Sequence, residues 1–425
     1  MIYEEAIKFI HSKSWKGTKL GLERIIELNE LIGNPQKQLK FVHVAGTNGK
    51  GSTSRMLANI LNESGYRVGL FTSPFISTFN EYYQVNDRCI TDSELIEIVE
   101  FIKPFVEKMK EGPTEFELIT MIAVEYFKRK CCDIVVFEVG MGGRLDCTNF
   151  IENTEVAVIT SIGLDHMEQL GNTISEIARE KAGIIKKGCQ VVLYQQGQEV
   201  VNVVEEACKK VNADLFIADF SELNPVSSDL DGQMFDYKNM KNIFIKLLGC
   251  HQLKNTAVVL ETISALQKRG WRISEADIKE GLKKTTWPAR FEVLQKDPVV
   301  ILDGGHNPQC FQALKEGLIQ YFSGRKITFV FGVLADKDYI SMIDIIAPYA
   351  KKFYTITPNN TRALKAEDLA NYLKKYNSPI VNCETPLNGI KTALEGAEKE
   401  DVICVVGSFS IASEIRSFYG RQDTI

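Results

Sequence analysis

The chain has 425 residues, 44% hydrophobic and 25% charged, which is the usage of a globular protein and excludes disordered and fibrous classes. Fifty basic against 55 acidic residues leave a formal charge of −5, which argues against a protein whose main task is to coat nucleic acid. The length suggests roughly two or three domains, with a core large enough to need no disulfide or zinc staples.

The N-terminus, Met1-Ile2-Tyr3-Glu4-Glu5, opens with acids, where a signal peptide would need a basic start and an apolar run. No stretch approaches the roughly 20 apolar residues of a membrane span. A buried strand is expected at 41–44 (FVHV), then a helix over 53–64, with Met56, Leu57, Ile60 and Leu61 at helical spacing and Gly65 as its stop. Further strands read at 68–71, 133–139, 156–161 and 191–194, with helices such as 116–128 and 173–181 between them. The region 219–236 is polar and without periodicity, an irregular excursion or short β pieces. After Trp287-Pro288 the strand–helix grammar restarts, with strands at 299–302, 327–333, 353–357 and 402–406 and a helix over 310–321. This alternation predicts an α/β protein with mostly parallel sheets. The break near 287–297 divides it into residues 1–286, a linker at 287–297 and a smaller domain at 298–425. The ten cysteines form no C-x-x-C pair, so they read as reduced thiols of a cytosolic enzyme rather than a zinc site.

The first strand runs into Gly46-Thr47-Asn48-Gly49-Lys50-Gly51-Ser52. Glycines there let backbone N–H groups turn toward an anion, the helix N-terminus adds positive partial charge, and Lys50 adds a full one. A hydroxyl at Ser52 or Thr53 is a candidate to face magnesium. The loop departs from the strict G-x-x-x-x-G-K-[ST] form, with Val44 in place of the first glycine and Gly51 between Lys50 and Ser52. Phosphate binding is the strongest inference from local sequence. The strand at 68–71 ends in Thr72-Ser73-Pro74-Phe75, which would put Ser73 at the ligand edge beside the phosphate loop.

Glu138 closes an apolar strand, where an acid is costly unless paired or metal-bound, so it is the best carboxylate for magnesium on nucleotide phosphates. Asp146 and Asn149 follow on the same loop. Of five histidines, His166, His251 and His306 sit at candidate strand or helix ends. Lys181 reads locally as a solvated helix residue. Near Asn255 the side-chain amides suit either helix capping or a purine edge, and capping is favoured locally. Asp303-Gly304-Gly305-His306-Asn307-Pro308 forms a turn at a strand end that suits a substrate or nucleotide contact. Arg290 stands at the domain junction, placed to reach phosphate.

The segments HVAGTNGKGS, FTSPFISTFNE, PTEFELIT, EVGMGGRLDCTN, TSIGLDHMEQLG, EKAGI, GCHQLKN, WPARFE, DGGHNP, FGVLADKD and GSFS, in this order over nearly the whole chain, resemble the folylpolyglutamate synthase/dihydrofolate synthase family of Mur ligases. The resemblance implies an N-terminal P-loop ATPase domain, a smaller C-terminal Rossmann-like domain and an active site in the cleft between them. It implies that ATP phosphorylates a folate or pteroate carboxylate and that the amine of L-glutamate attacks the acyl phosphate. By motif, Thr47, Asn48, Gly49, Lys50, Gly51, Ser52, Asn255, Arg290 and Asp303 would bind ATP. Ser73, Glu138 and His166 would hold Mg2+. Lys181 would be carbamylated. Lys50, Lys181 and His306 would be catalytic, and Phe75 and Ser408 would bind the substrates. The implied protein is a cytoplasmic monomer acting on reduced folate, with dihydropteroate as a second candidate acceptor, and with no nucleic-acid or membrane partner. One departure stands out: the family's Arg-Ile after FNE is Tyr82-Tyr83 here, which removes a cation expected near the glutamate substrate. The alternatives are a Mur-type ligase for a cell-wall precursor and a nucleotide-binding homologue without turnover.

Overall fold

Five consecutive buried residues make β1 (Phe41–Ala45), which lies inside an eight-stranded sheet. The other strands are β2 (Val68–Phe71), β3 (Tyr83–Val85), β4 (Arg88–Cys89), β5 (Ile134–Glu138), β6 (Thr154–Ile159), β7 (Gln190–Leu193) and β8 (Asp214–Ile217). Their order is β4-β3-β2-β5-β1-β6-β7-β8. All neighbours are parallel except the β2–β3–β4 edge, which is antiparallel. The chain leaves β1 to one side for β2 and β5, then crosses to the other for β6 to β8. The carboxyl end of β1 is therefore the switch point where an open α/β sheet binds ligands. The computed structural model describes residues 1–13 and 19–421.

Unbroken apolar strands such as β5 are buried on both faces, as a parallel sheet requires. One face packs on helices Tyr3–His11, Glu23–Ile32, Asp92–Lys108 and Glu115–Arg129. Ile174–Ala182 and Gln198–Val211 cover the β6–β7 part of the same face, and helix Lys50–Glu63 packs on the opposite one. Phe71, Phe137 and Phe127 are fully buried in the first of these layers, each contributing roughly 1.5–3 kcal/mol of burial. Helix starts are set locally: Thr114 accepts from Glu117 N–H while the Glu117 carboxylate accepts from Thr114 N–H, a capping box repeated at Thr91/Glu94 and Thr173/Glu176.

Three further strands, β9 (Leu223–Asp229), β10 (Gly232–Tyr237) and β11 (Met240–Ile245), form a small sheet that begins in the polar 219–236 stretch, read as an irregular excursion or short β pieces, and runs beyond it. The last sheet contains β12 (Glu292–Lys296), β13 (Val299–Asp303), β14 (Ile327–Phe331), β15 (Ala350–Ile356), β16 (Ile380–Glu384) and β17 (Val402–Val406). Its order is β12-β13-β17-β14-β15-β16, parallel except for β12, which lies within the segment read as a linker. Two compact units result. One is Met1–Asn224, Phe235–Ile243 and Lys254–Thr285; the other is Pro225–Met234, Phe244–Leu253 and Thr286–Ile425. No helix among the described residues is long and apolar enough to cross a membrane.

Candidate active site

The helix Lys50–Glu63 starts directly at the lysine, with Gly49 as its cap at φ 89°. That left-handed turn favours glycine, and a Cβ there would lie 2.6 Å from Asn255 Oδ1. Asn255 is thus buried against the phosphate loop from the first turns of helix Cys250–Lys268, not at its cap, and the local capping reading is corrected. The loop is stapled to the end of β6. Thr47 and Asn48 N–H donate to Ser161 O at 2.8 and 3.2 Å, and Thr160 Oγ1 donates to Asn48 O at 2.8 Å. Thr47 Oγ1 donates to Gly163 O at 3.0 Å.

Two lysines converge on one carbonyl. Lys50 Nζ donates to Gly46 O at 3.1 Å and to Thr47 O at 3.2 Å, and Lys181 Nζ donates to Gly46 O at 2.8 Å. Lys181 is buried, which overturns its reading as a solvated helix residue. Burial pushes its amine down to about 7, and the neighbouring Lys50 charge adds to the shift. Its helix is fastened to the loop after β5: Arg144 N–H donates to Glu180 O at 2.7 Å, and Asn149 Nδ2 donates to Gly183 O at 3.1 Å.

Glu138 is buried at the end of β5, paired in register with Val44. Ser73 N–H points at Glu138 Oε2 from 3.4 Å. Because β5 lies between β2 and β1, the direct neighbour of Ser73 is Glu138 rather than the next-door phosphate loop expected from sequence order. Asp146 is buried and accepts from Met141 N–H at 2.8 Å, from Thr148 N–H at 3.0 Å and from the Thr148 hydroxyl. His166 caps the short helix Met167–Leu170 in a left-handed conformation, its Nε2 3.9 Å from Asp165 Oδ1. Ser52 and Thr53 are both buried in the helix.

In the second unit Asp303 ends β13, buried, and accepts from Phe291 N–H at 2.9 Å and from Gly305 N–H at 2.8 Å. Burial raises its carboxyl, and the Arg290 guanidinium opposes the rise. His306 Nδ1 lies 3.2 Å from Gly304 O, and Asn307 Oδ1 caps helix Pro308–Tyr321 at Cys310 N–H. Ser408 is buried, 2.7 Å from the Ser410 hydroxyl.

Residues 44–263 match the Mur ligase middle domain and residues 289–409 match the Mur ligase glutamate ligase domain. A dihydrofolate synthase/folylpolyglutamate synthase of Bacillus subtilis is 37% identical over 97% of this chain and 98% of its own. A folylpolyglutamate synthase of Lacticaseibacillus casei is 36% identical over 86% and 87%. The chain belongs to the folylpolyglutamate synthase/dihydrofolate synthase family of Mur ligases. Among solved structures, the Thermotoga maritima folylpolyglutamate synthase superposes with a TM-score of 0.87 at 32% identity, covering 100% of this chain and 98% of that one. A Mycobacterium tuberculosis folylpolyglutamate synthase, complexed with ADP and AMPPCP, gives 0.90 at 28%, with complete coverage of both.

In this Mur ligase the departure at Tyr82 has a structural counterpart. Its ring is buried among Phe71, Phe75, Phe79 and Tyr83, with centroids 5.2–6.1 Å away. Burial pushes the phenol up to about 12, with Glu115 adding to the effect. Tyr82 therefore extends the apolar wall that carries Phe75 and adds no charge to it. Sequence reasoning missed Glu81, whose carboxylate accepts from the N–H groups of Ile76, Ser77 and Thr78 at 2.8–2.9 Å and so fixes the turn bearing Phe75. Its signal was the Thr78-x-x-Glu81 capping box. His43 was also missed. Its Nε2 lies 2.9 Å from the Thr148 hydroxyl, which donates onward to Asp146, so the ligase's β1 is tied to the loop after β5 by a buried relay.

Proposed function

We propose that this ligase uses ATP and Mg2+ to add L-glutamate to tetrahydrofolate, with dihydropteroate as a second acceptor. The observation that carries the reading is Lys50 on the carbonyls of Gly46 and Thr47, at the start of a helix and at the switch point of the first sheet. A positively charged loop at a helix N-terminus is suited to aligning and neutralising phosphates, which is most of what phosphoryl transfer asks of a protein. The names of the full-length relatives support the folate acceptor, and the nucleotide complexes of the M. tuberculosis and Escherichia coli structures support ATP.

A folate carboxylate oxygen attacks the terminal phosphorus of ATP, and ADP leaves. The glutamate amine then attacks the acyl carbon, loses a proton and expels phosphate with the original carboxylate oxygen. Lys50 and the N–H groups of Gly49, Gly51 and Ser52 take the phosphates, with Thr47, Asn48, Asn255, Arg290 and Asp303 as further ATP contacts. His306 meets the reacting groups, Phe75 takes the folate and Ser408 the glutamate. Ser73, Glu138 and His166 would hold magnesium, which supplies charge neutralisation on the phosphates. The buried carboxylate of Glu138 beside Ser73 suits a hard cation. Lys181, buried and with a lowered amine pKa, is the form of lysine that reacts with CO2 to give a carbamate.

The proposed division is residues 1–286 for nucleotide binding and 298–425 for the ligase domain, joined by 287–297, in a cytoplasmic monomer. The test is mass spectrometry of products from ATP, Mg2+ and glutamate with tetrahydrofolate, with dihydropteroate and with no pterin. An added glutamyl unit on tetrahydrofolate supports the synthase; addition to both makes it bifunctional. Addition to neither overturns the reading and favours the homologue without turnover.

A further inference from the structure

Arg290 occupies an unusual backbone. The residues on either side, Ala289 at φ 53° and Phe291 at φ 48°, are both left-handed without being glycine. Such conformations persist only where the surroundings over-determine them, and they gather at working sites. Here three hydrogen bonds do so. Ala289 N–H donates to Glu292 Oε2 at 2.9 Å, Phe291 N–H donates to Asp303 Oδ2 at 2.9 Å, and Gly304 N–H donates to Ala289 O at 2.8 Å. Ala289 and Phe291 are buried, so the turn anchors on both flanks and presents only Arg290.

The side chain is then met by a residue from a third segment. The Arg290 guanidinium lies over the Phe409 ring, 4.1 Å from its centroid. Gly304 makes the meeting possible. A Cβ there would fall 2.7 Å from the Phe409 ring and 3.2 Å from Arg290 Nη1. Arg290 Nη1 also donates to Ala289 O at 3.4 Å, which with the ring sets the plane of the guanidinium. An aromatic face attracts the cation without itself accepting an in-plane N–H, as a carboxylate in the same place would.

We propose that Phe409 is a positioning residue for the ligase reaction: it fixes the plane of the Arg290 guanidinium so that its N–H edge meets a phosphate oxygen in the transition state. This rests on the reading of Arg290 as a phosphate contact. Phe409 follows Ser408, so disturbance of the neighbouring glutamate contact must be told apart from loss of arginine alignment. The first would raise KM for glutamate; the second lowers kcat.

The experiment compares Phe409→Leu, Phe409→Tyr, Arg290→Ala and the double variant Phe409→Leu/Arg290→Ala in the full-length enzyme, with kcat, KM for each substrate and thermal midpoint. Phe409→Leu keeps apolar bulk and removes the ring. It should lower kcat by about tenfold, within the range of a partly desolvated cation–π contact, with KM for glutamate and the thermal midpoint little changed. Phe409→Tyr should restore kcat to within about twofold, since the ring face is retained. In the double variant the leucine should add no loss beyond Arg290→Ala. Wild-type kcat in Phe409→Leu, a raised glutamate KM as its main effect, failure of tyrosine to rescue, or full additivity in the double variant would each overturn the proposal. Wild-type turnover in Arg290→Ala would overturn the phosphate reading of Arg290 and the proposal with it.

Discussion

Lys181 Nζ donates to Gly46 O at 2.8 Å, joining a helix of the sheet's flank to the first glycine of the phosphate loop across 135 residues. An exposed lysine would sit near 10.5 and be almost wholly charged at neutral pH. Here burial and Lys50 push it down to about 7, so a large neutral fraction is present under physiological conditions. Only the neutral amine attacks CO2, forming the N–C bond and releasing a proton. Protein equilibrated with 13C-bicarbonate at pH 7.5 should show one carbamate carbon signal that disappears in Lys181→Ala. An unchanged spectrum in that variant would place the carbamate elsewhere, and no signal in the native enzyme would remove it from the account.

Lys50→Ala should cost about 2–4 kcal/mol of transition-state stabilisation, the scale of losing one preorganised electrostatic contact. The measurement is kcat/KM for ATP, with the thermal midpoint as the control for folding. Wild-type turnover in this variant would sink the phosphate-loop assignment.

Glu138→Gln keeps the shape of the side chain and removes its charge from the end of β5. The magnesium concentration for half-maximal activity should rise by at least about tenfold, as expected when a carboxylate around a metal is lost. A superimposable magnesium titration would exclude Glu138 as a ligand.

His43 predicts an acid limb of stability. It is fully buried, and desolvation pushes its imidazole down to about 3 from 6.5, with Lys186 adding to the shift. Between those values the unfolded chain holds a proton that the folded one excludes. The stabilising contribution is therefore complete above pH 6.5 and is lost as pH falls toward 3, at up to about 1.4 kcal/mol per pH unit. His43→Gln should flatten the slope of unfolding free energy in that window, measured by urea denaturation. Parallel slopes would mean that other groups set the acid limb.

The α/β class and the phosphate loop were legible because each is written locally. Parallel strands buried on both faces are unbroken apolar runs, and glycines before a helix with a lysine need no distant partner to be recognised. Glu138 was legible for the same reason, as an acid closing such a run. The β9–β11 sheet was not, because β9 is largely exposed and has no alternation to read. Lys181 was misjudged locally because nothing in its helix records that the Gly46 carbonyl and the loop after β5 close over it. Phe409, Glu81 and His43 act through residues far off or through the backbone, and their roles appear only once those neighbours are in place.

The most direct test of the central claim is stoichiometry. Phosphate released and glutamyl units formed should be counted in one reaction containing ATP, Mg2+, glutamate and tetrahydrofolate. The account predicts one phosphate per glutamyl unit and no glutamyl product when ATP, glutamate or the folate is omitted. Phosphate release without glutamate incorporation, or incorporation without ATP, would contradict it.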